Sequence, residues 1–166
     1  MEIKVNRTDR SGNPIEVIYR DIENESDIAG KSISAVHAIC FYGDKIVIVY
    51  SEKKAIWTPP GGGVDGDETA IEATIREIKE ESNMKVLKQK FIGYQDIHHA
   101  DGSIITQTRS VCMVEPYGEF TGDTAEDAEI TEIKLIDPKD HQQYFNWGEI
   151  GDHIMERAIE LKDALL

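Results

Sequence analysis

The chain has 166 residues, the length of one domain, and its 40% apolar and 30% charged residues are typical of an ordinary globular protein. The net charge of −14 argues against a nucleic acid polymer or an anionic membrane as the main partner, because both are bound through basic patches. The N-terminus has no apolar signal core and no run of residues approaches the length of a membrane span, so we expect a cytoplasmic protein.

The first fifty residues predict strands. Residues 1–30 form a polar N-terminal strand region, in which a strand over Ile15–Arg20 follows a turn-forming sequence at 11–14. Residues 33–50 predict a hairpin that turns at Gly43-Asp44. Both faces of this hairpin carry apolar residues, which is typical of a central sheet covered on two sides.

The two cysteines, Cys40 and Cys112, each lie in an apolar run that predicts a strand. The sequence has no C-x-x-C motif or Cys/His cluster that would indicate zinc. We therefore expect two buried, reduced thiols.

A loop and a helix follow the hairpin. The Pro-Pro-Gly-Gly-Gly sequence at 59–63 predicts a rigid and then flexible loop. A helix is predicted from about Glu68 to Ser82, with a buried face formed by three isoleucines at helical spacing: Ile71, Ile75 and Ile78. Asp67 or Thr69 can cap its start, and Asn83 stands where a left-handed residue is expected to end it.

The second half predicts two strands, an acidic loop, a strand and two helices, in that order. Their ranges are 85–98, 103–115, 117–129, 130–136, 138–145 and 147–165. The last, C-terminal helix carries one apolar face. This order predicts a single domain over 1–166 of the α/β (α+β) class, a sandwich with a mixed central sheet between helices.

Three glutamates on the first helix are candidate metal ligands. Glu77, Glu80 and Glu81 are related by three and four residues and share one arc, away from the isoleucine stripe. Like charges at these spacings destabilise an isolated helix by a few tenths of a kcal/mol per pair, so a compensating cation is expected. Carboxylate oxygens suit Mg²⁺. Taken alone the three would be read as a solvated helix face, but the preceding glycines, which let backbone approach a ligand closely, favour the metal.

The segment 62–84 resembles the Nudix box, G-x5-E-x7-R-E-U-x-E-E-x-G-U, in which U is aliphatic. Here Gly62 is followed after five residues by Glu68, and after seven more by the sequence REIKEESNM, which begins at Arg76. Asn83 stands where the family has glycine, and it tolerates the left-handed conformation better than most residues. The glycine that usually precedes the glutamate directly is displaced by one residue, to Gly66.

The resemblance implies an α/β/α sandwich and a hydrolase that needs Mg²⁺ or Mn²⁺. Its substrate would be a pyrophosphate linkage in a nucleoside diphosphate joined to another moiety. The expected metal ligands are the three helical glutamates and the backbone carbonyl of Gly61. Gly62, Glu68 and Arg76 would have structural roles, and the last two could pair with each other.

The base that takes a proton from the attacking water is left open by the resemblance. Glu77 is one candidate. A glutamate of the late acidic loop is another, and either Glu126 or Glu129 lies in the right region, although a solvated loop would explain both residues as well.

Hydrolysis of a nucleoside triphosphate, as in MutT-like members, is the favoured activity. The proline that ADP-ribose hydrolases tend to carry beyond the box is absent from residues 85–115. An ADP-ribose or nucleotide-sugar pyrophosphatase is the alternative within the family. A non-catalytic nucleotide sensor is the alternative from another class, and the intact glutamates oppose it.

Three further residues are candidate substrate contacts, each with a structural alternative. Trp57 could stack on a base or pack at a strand edge. His98 could contact substrate or lie at a strand end, and Asn146 could read a base or cap the last helix. A homodimer is also expected, through the apolar face of the last helix or the N-terminal strand.

Overall fold

The structure, a computed structural model, describes residues 1–120 and 129–165. These residues contain nine strands, two α-helices and two short 3-10 helices. The strands are β1 Glu2–Thr8, β2 Pro14–Asp21, β3 Ile33–Tyr42, β4 Lys45–Ser51, β5 Ile56–Thr58, β6 Gly61–Gly63, β7 Met84–His99, β8 Ile104–Pro116 and β9 Ile130–Ile136. The helices are α1 Ala70–Ser82 and α2 Gly148–Leu165, and the 3-10 helices are Glu25–Ile28 and Pro138–Gln143.

The strands form one mixed sheet. Its order is β1-β2-β7-β8-β3-β4-β5, with β6 paired to β3 and β9 paired to β4. The pair between β3 and β8 is parallel and the other pairs are antiparallel. This arrangement confirms the predicted mixed central sheet.

The two α-helices cover opposite faces of the sheet. Along β3, Ile39 and Phe41 join the cluster that includes the apolar face of α2, whereas Ala38 and Cys40 join a cluster with Ile78 of α1. Alternate residues of a strand point to opposite faces, so one apolar strand supplies both cores. The predicted sandwich is confirmed, and both cysteines are buried and free.

The N-terminal region contains a hairpin instead of the single predicted strand. β1 pairs with β2 along its whole length and buries Ile3 in the core under α2. Its remaining residues are mostly exposed, which is why the polar sequence concealed it. Because β1 lies at an edge of the sheet, dimerisation through this strand stays a prediction. Dimerisation through the apolar face of α2 is wrong, since that face packs on the sheet.

The predicted ends of α1 are confirmed, but of its predicted isoleucine stripe Ile78 alone is buried. Thr69 caps the helix by accepting from the Glu72 N–H, and Asn83 ends it with a left-handed φ of 54°. The helix buries Ala70, Ala73, Thr74 and Ile78, whereas Ile75 is 41% exposed. The inward face is therefore rotated away from the isoleucine stripe and toward the glutamates.

None of the helices in residues 1–120 and 129–165 is long and apolar enough to cross a membrane.

Candidate active site

The glycines at 61–63 form a short strand where a flexible loop was predicted. β6 pairs antiparallel with β3 and lies between that strand and α1. A Cβ on Gly61 would overlap the carbonyl oxygen of Val36, and a Cβ on Gly62 would lie 2.5 Å from Oε1 of Glu77. Glycine is required here because helix carboxylates and the neighbouring strand leave no room for a side chain.

Two of the three helical glutamates point inward, to β6. The carboxylate of Glu81 accepts a hydrogen bond of 2.8 Å from the Gly61 N–H. Burial, together with the negative charges of Glu77 and Glu129, raises the pKa of Glu81 to about 8. Burial also raises the pKa of Glu77. The side chain of Glu80 is 58% exposed. Two partly buried carboxylates therefore lie on the inner side of the helix, and burial opposes the ionisation of both.

Arg76 links the helix to the chain that precedes it. Its guanidinium donates to both carboxylate oxygens of Glu68, at 2.7 and 2.9 Å, and to the carbonyl oxygen of Gly63 at 2.8 Å. The Arg76 guanidinium lowers the pKa of Glu68 to about 2. The pair anticipated from the spacing is therefore present, and it fixes β6 relative to α1.

The same guanidinium also reaches two of the candidate metal ligands. Its Nη1 donates to Glu77 at 2.9 Å and to Glu80 at 3.2 Å. Within the described residues no three acidic, His or Cys side chains stand in position to hold a metal ion. The chemistry of the set nevertheless fits a hard divalent cation, because it consists of carboxylate oxygens, and burial raises the pKa values of two of these carboxylates.

A cavity of about 460 Å³ opens beside these carboxylates. Glu81, Glu129 and the glycines of β6 line it. Four cationic side chains also line the cavity: Arg7, Arg10, Lys54 and Arg109. Its volume lies within the roughly 300–1,000 Å³ of small-molecule sites. A site lined by both acidic and basic side chains suits a polyanion that arrives with a divalent cation.

The inner end of the cavity is polar where the sheet would otherwise be apolar. His37 and Arg109 lie opposite each other on β3 and β8, and Gln95 of β7 lines the same end. Burial lowers the pKa of His37 to about 3 and that of Arg109 to about 10. The ring of Trp147 packs edge-on against His37 and lies 5.1 Å from the guanidinium carbon of Arg109.

Arg7, Arg10, His37, Lys54, Gln95 and Arg109 were not among the predicted site residues. Arg109 could have been found from the sequence, because it shares the inward parity of Val111 on a strand buried on both faces. A charge at such a position is rarely without a function. Nothing in the polar N-terminal sequence distinguishes Arg7 and Arg10 from other surface residues.

The late acidic loop is described only at its end. Glu129 lines the cavity, and its Oε1 lies 3.3 Å from both Ser51 Oγ and Lys54 Nζ. Glu126 lies outside the described residues. Of the two predicted candidates from this loop, the structure therefore brings Glu129 to the helical glutamates.

The three predicted substrate contacts lie elsewhere. Trp57 packs against Tyr50 and Tyr144 and is not among the residues that line the cavity. His98 pairs within the sheet and does not line the cavity either. The side chain of Asn146 accepts from the Gly148 N–H at the start of α2, which is its capping alternative.

Comparisons with known proteins agree with this geometry. A sequence model of the NUDIX domain matches residues 31–158. The structure is similar to that of the Bacillus subtilis pyrophosphohydrolase BsRppH, with a TM-score of 0.70 and 19% identity over 96% of this chain and 97% of that one. It is also similar to an ADP compounds hydrolase, with a TM-score of 0.58 and 15% identity over 99% of this chain and 92% of that one.

A third similar structure is that of MutT from Aliivibrio salmonicida and Vibrio cholerae. The TM-score is 0.52 and the identity 21%, over 78% of this chain and 98% of that one. At these identities the structural likeness establishes the fold. The first two comparisons cover nearly all of this chain, so its N-terminal hairpin also has a counterpart in solved structures.

Proposed function

This chain belongs to the NUDIX family, and we propose that it is a pyrophosphohydrolase whose substrate is a nucleoside diphosphate linked to another group, most readily a nucleoside triphosphate. The observation that carries this proposal is that one cavity holds both kinds of charge. The carboxylates of Glu81 and Glu129 line it together with the cationic side chains of Arg7, Arg10 and Lys54. A phosphate chain in the cavity could contact the cationic side chains directly and the carboxylates through a divalent ion.

We propose that Glu77, Glu80, Glu81 and the Gly61 carbonyl hold Mg²⁺ or Mn²⁺. A bound divalent ion neutralises phosphate oxygens and makes a bound water a better nucleophile. The raised pKa values of Glu77 and Glu81 support this assignment, because buried carboxylates ionise more readily beside a cation. Arg76 would release Glu77 and Glu80 while it keeps its two bonds to Glu68.

Glu129 is our proposed general base. It lines the cavity together with Glu81 and the glycines of β6, and Lys54 lies 3.3 Å from its carboxylate. A general base must lie within reach of the water whose proton it takes, and Glu129 meets that requirement by lining the cavity beside the proposed metal ligand Glu81. Glu77 is the alternative, but its carboxylate is already assigned to the metal ion in this proposal.

Turnover on a substrate panel tests the proposal. The panel holds four nucleoside triphosphates, ADP-ribose and a nucleotide sugar, each with Mg²⁺ or Mn²⁺, and product release is measured. The triphosphates are chosen because of the similar MutT structure, and ADP-ribose and the nucleotide sugar because of the similar ADP compounds hydrolase. We expect turnover of the triphosphates. Binding without product from any substrate would instead support the nucleotide sensor.

Two variants serve as controls for that panel. Glu80→Gln changes the proposed site, and Glu72→Gln makes the same change elsewhere on the helix. Both changes remove one charge from α1, but Glu72 lies at the far end of the helix, where glutamine can still accept from the Thr69 N–H. Activity lost only in Glu80→Gln would assign turnover to the proposed site. Near wild-type activity in Glu80→Gln would exclude Glu80 from the proposed metal site.

A further inference from the structure

On the basis of the proposed function, we propose that the inner end of the cavity binds the nucleobase, and that Arg109 selects a 6-oxopurine such as guanine. Arg109 would donate to the adjacent oxygen and ring nitrogen on one edge of that base. The proposal therefore adds a specificity-determining residue and a preferred base to the pyrophosphohydrolase activity.

Arg109 is a buried cation, and not all of its N–H donors have a hydrogen-bond partner in the described residues. The residue is 6% exposed, and its Nε–H has no partner in the described part of the chain. Its Nη1 donates to the Thr108 carbonyl and its Nη2 to the Gln107 side chain, at 3.1 and 3.0 Å. Across residues 1–120 and 129–165 it makes no ion pair. Such a group is costly to keep in the interior, so a ligand that accepts its hydrogen bonds would explain its presence.

The surroundings of Arg109 suit a base better than a phosphate. Trp147, Ile150 and Ile154 line the same cavity as apolar walls. Gln95 adds a single amide, which donates to Gln107 at 3.3 Å. Apolar and aromatic walls with a few convergent polar groups are the usual features of sites for flat organic groups. A phosphate has a better location beside the exposed cations Arg10 and Lys54.

The sheet places Arg109 at a suitable distance from the helical glutamates. Gly61, His37 and Arg109 are partners in register on three adjacent strands, β6, β3 and β8. Neighbouring strands lie about 4.8 Å apart, so the backbones of Gly61 and Arg109 are roughly 10 Å apart. Glu81 binds the Gly61 N–H. A nucleotide that spans this distance would place its phosphates at β6 and its base at Arg109.

The donor pattern of arginine selects one class of base. Guanine presents two adjacent acceptors, O6 and N7, which match two parallel N–H donors. Adenine presents N7 beside an amino group, and that amino group would face another donor.

The test compares kcat/KM for GTP, ATP, CTP and UTP in the wild type, Arg109→Gln and Arg109→Lys. A bidentate pair discriminates between bases by roughly 5- to 150-fold, so we expect GTP to lead by a factor in this range. Arg109→Gln should transfer the preference to ATP, because glutamine pairs with the N6/N7 edge of adenine. Arg109→Lys should reduce the GTP preference, mainly through KM. Arg20→Gln, the same change outside the cavity, should leave the ranking as in the wild type.

Other outcomes would overturn the proposal. An equal loss on all four triphosphates in Arg109→Gln, with weaker inhibition by inorganic tripolyphosphate, would show that Arg109 binds phosphate. An unchanged ranking would show that it has no part in recognition. Thermal melts of each variant identify a folding defect. If Arg109→Gln is defective, the order of the four triphosphates in Arg109→Lys still tests the proposal.

A calorimetric arm separates this proposal from the proposed activity. If no triphosphate is hydrolysed, the proposed substrate class fails, but binding of GMP and AMP still tests the base site. Tighter binding of GMP in the wild type, lost in Arg109→Gln, would support the proposal. Equal affinities in the wild type would contradict it.

Discussion

Removal of the charge of Glu81 should stabilise the metal-free protein, and more strongly as the pH rises. The pKa of this carboxyl is raised from 4.5 to about 8, first by burial and then by the charges of Glu77 and Glu129. Below pH 4.5 the group is protonated in both the folded and the unfolded chain. Between pH 4.5 and 8 the unfolded chain releases the proton while the folded chain retains it, so stability falls as the pH rises.

The size of the effect follows from the two pKa values. Each pKa unit corresponds to roughly 1.4 kcal/mol, so the folded protein loses about 4 kcal/mol at pH 8 relative to pH 4 through this one group, as an upper estimate. Glutamine resembles the protonated carboxyl and can still accept from the Gly61 N–H. Glu81→Gln should therefore be nearly neutral at pH 5 and should stabilise the protein by a few kcal/mol at pH 8.

Urea unfolding in EDTA at pH 5 and pH 8 measures this difference. Glu72→Gln serves as the control, because it removes the same charge from an exposed position of the same helix. With excess Mg²⁺ the order should reverse, since the wild type gains stability from the bound ion and the variant loses a ligand. A Glu81→Gln effect that is equal at both pH values would refute the assignment of a buried, protonated carboxyl.

Three further predictions concern the same segment. Glu80→Gln should lower turnover by orders of magnitude in a steady-state assay while the urea midpoint stays unchanged; near wild-type turnover would exclude Glu80 from the metal site. Gly62→Ala should abolish turnover, because the added Cβ would lie 2.5 Å from Oε1 of Glu77. Gly63→Ala should retain turnover, because the atom nearest to its Cβ would be 3.9 Å away. Equal activities of the two variants would contradict the close approach of Glu77 to Gly62. Asn83→Gly should change the free energy of unfolding by less than about 1 kcal/mol, because glycine adopts the left-handed conformation freely; a large loss, measured by urea unfolding, would mean that the Asn83 side chain bond to the Glu119 carbonyl stabilises the helix end.

The helical part of the site could be predicted from the sequence because its signals are local. Thr69 and Asn83 define the ends of α1 through hydrogen bonds and a backbone angle that involve neighbouring residues. The contact between Glu68 and Arg76 follows from their spacing across the turn that enters the helix. Local signals of this kind do not depend on the rest of the fold.

The orientation of α1 could not be predicted in the same way. Periodicity identified the stripe of Ile71, Ile75 and Ile78, but small residues and two glutamates lie on the face that packs inward. The orientation of α1 depends on the glycines of β6. A strand without side chains lets the helix approach closely and places Glu77 directly over Gly62. This contact joins segments that hydrophobic periodicity treats separately.

The cationic side of the cavity depends on long-range pairing. Arg7 lies on β1, an edge strand whose sequence is polar, and reaches the site by donating to the backbone carbonyl of Trp147. Arg109 reaches it from the middle of the sheet, through the parallel pairing of β8 with β3. The inward position of Arg109 has a local signal in its parity with Val111, but the partners that either arginine meets depend on strands far apart in the sequence.

The uneven distribution of charge explains how a chain with a net charge of −14 can bind a polyanion. Exposed charges are screened over about 8–10 Å at physiological ionic strength, so a phosphate chain in the cavity responds to the groups that line it more than to the whole surface. Arg7, Arg10, Lys54 and Arg109 outnumber Glu81 and Glu129 there, and a divalent ion at the carboxylates would further favour the phosphate. The overall acidity therefore argues against extended polyanions, which would lie along the outer surface, but not against a small nucleotide held within the cavity.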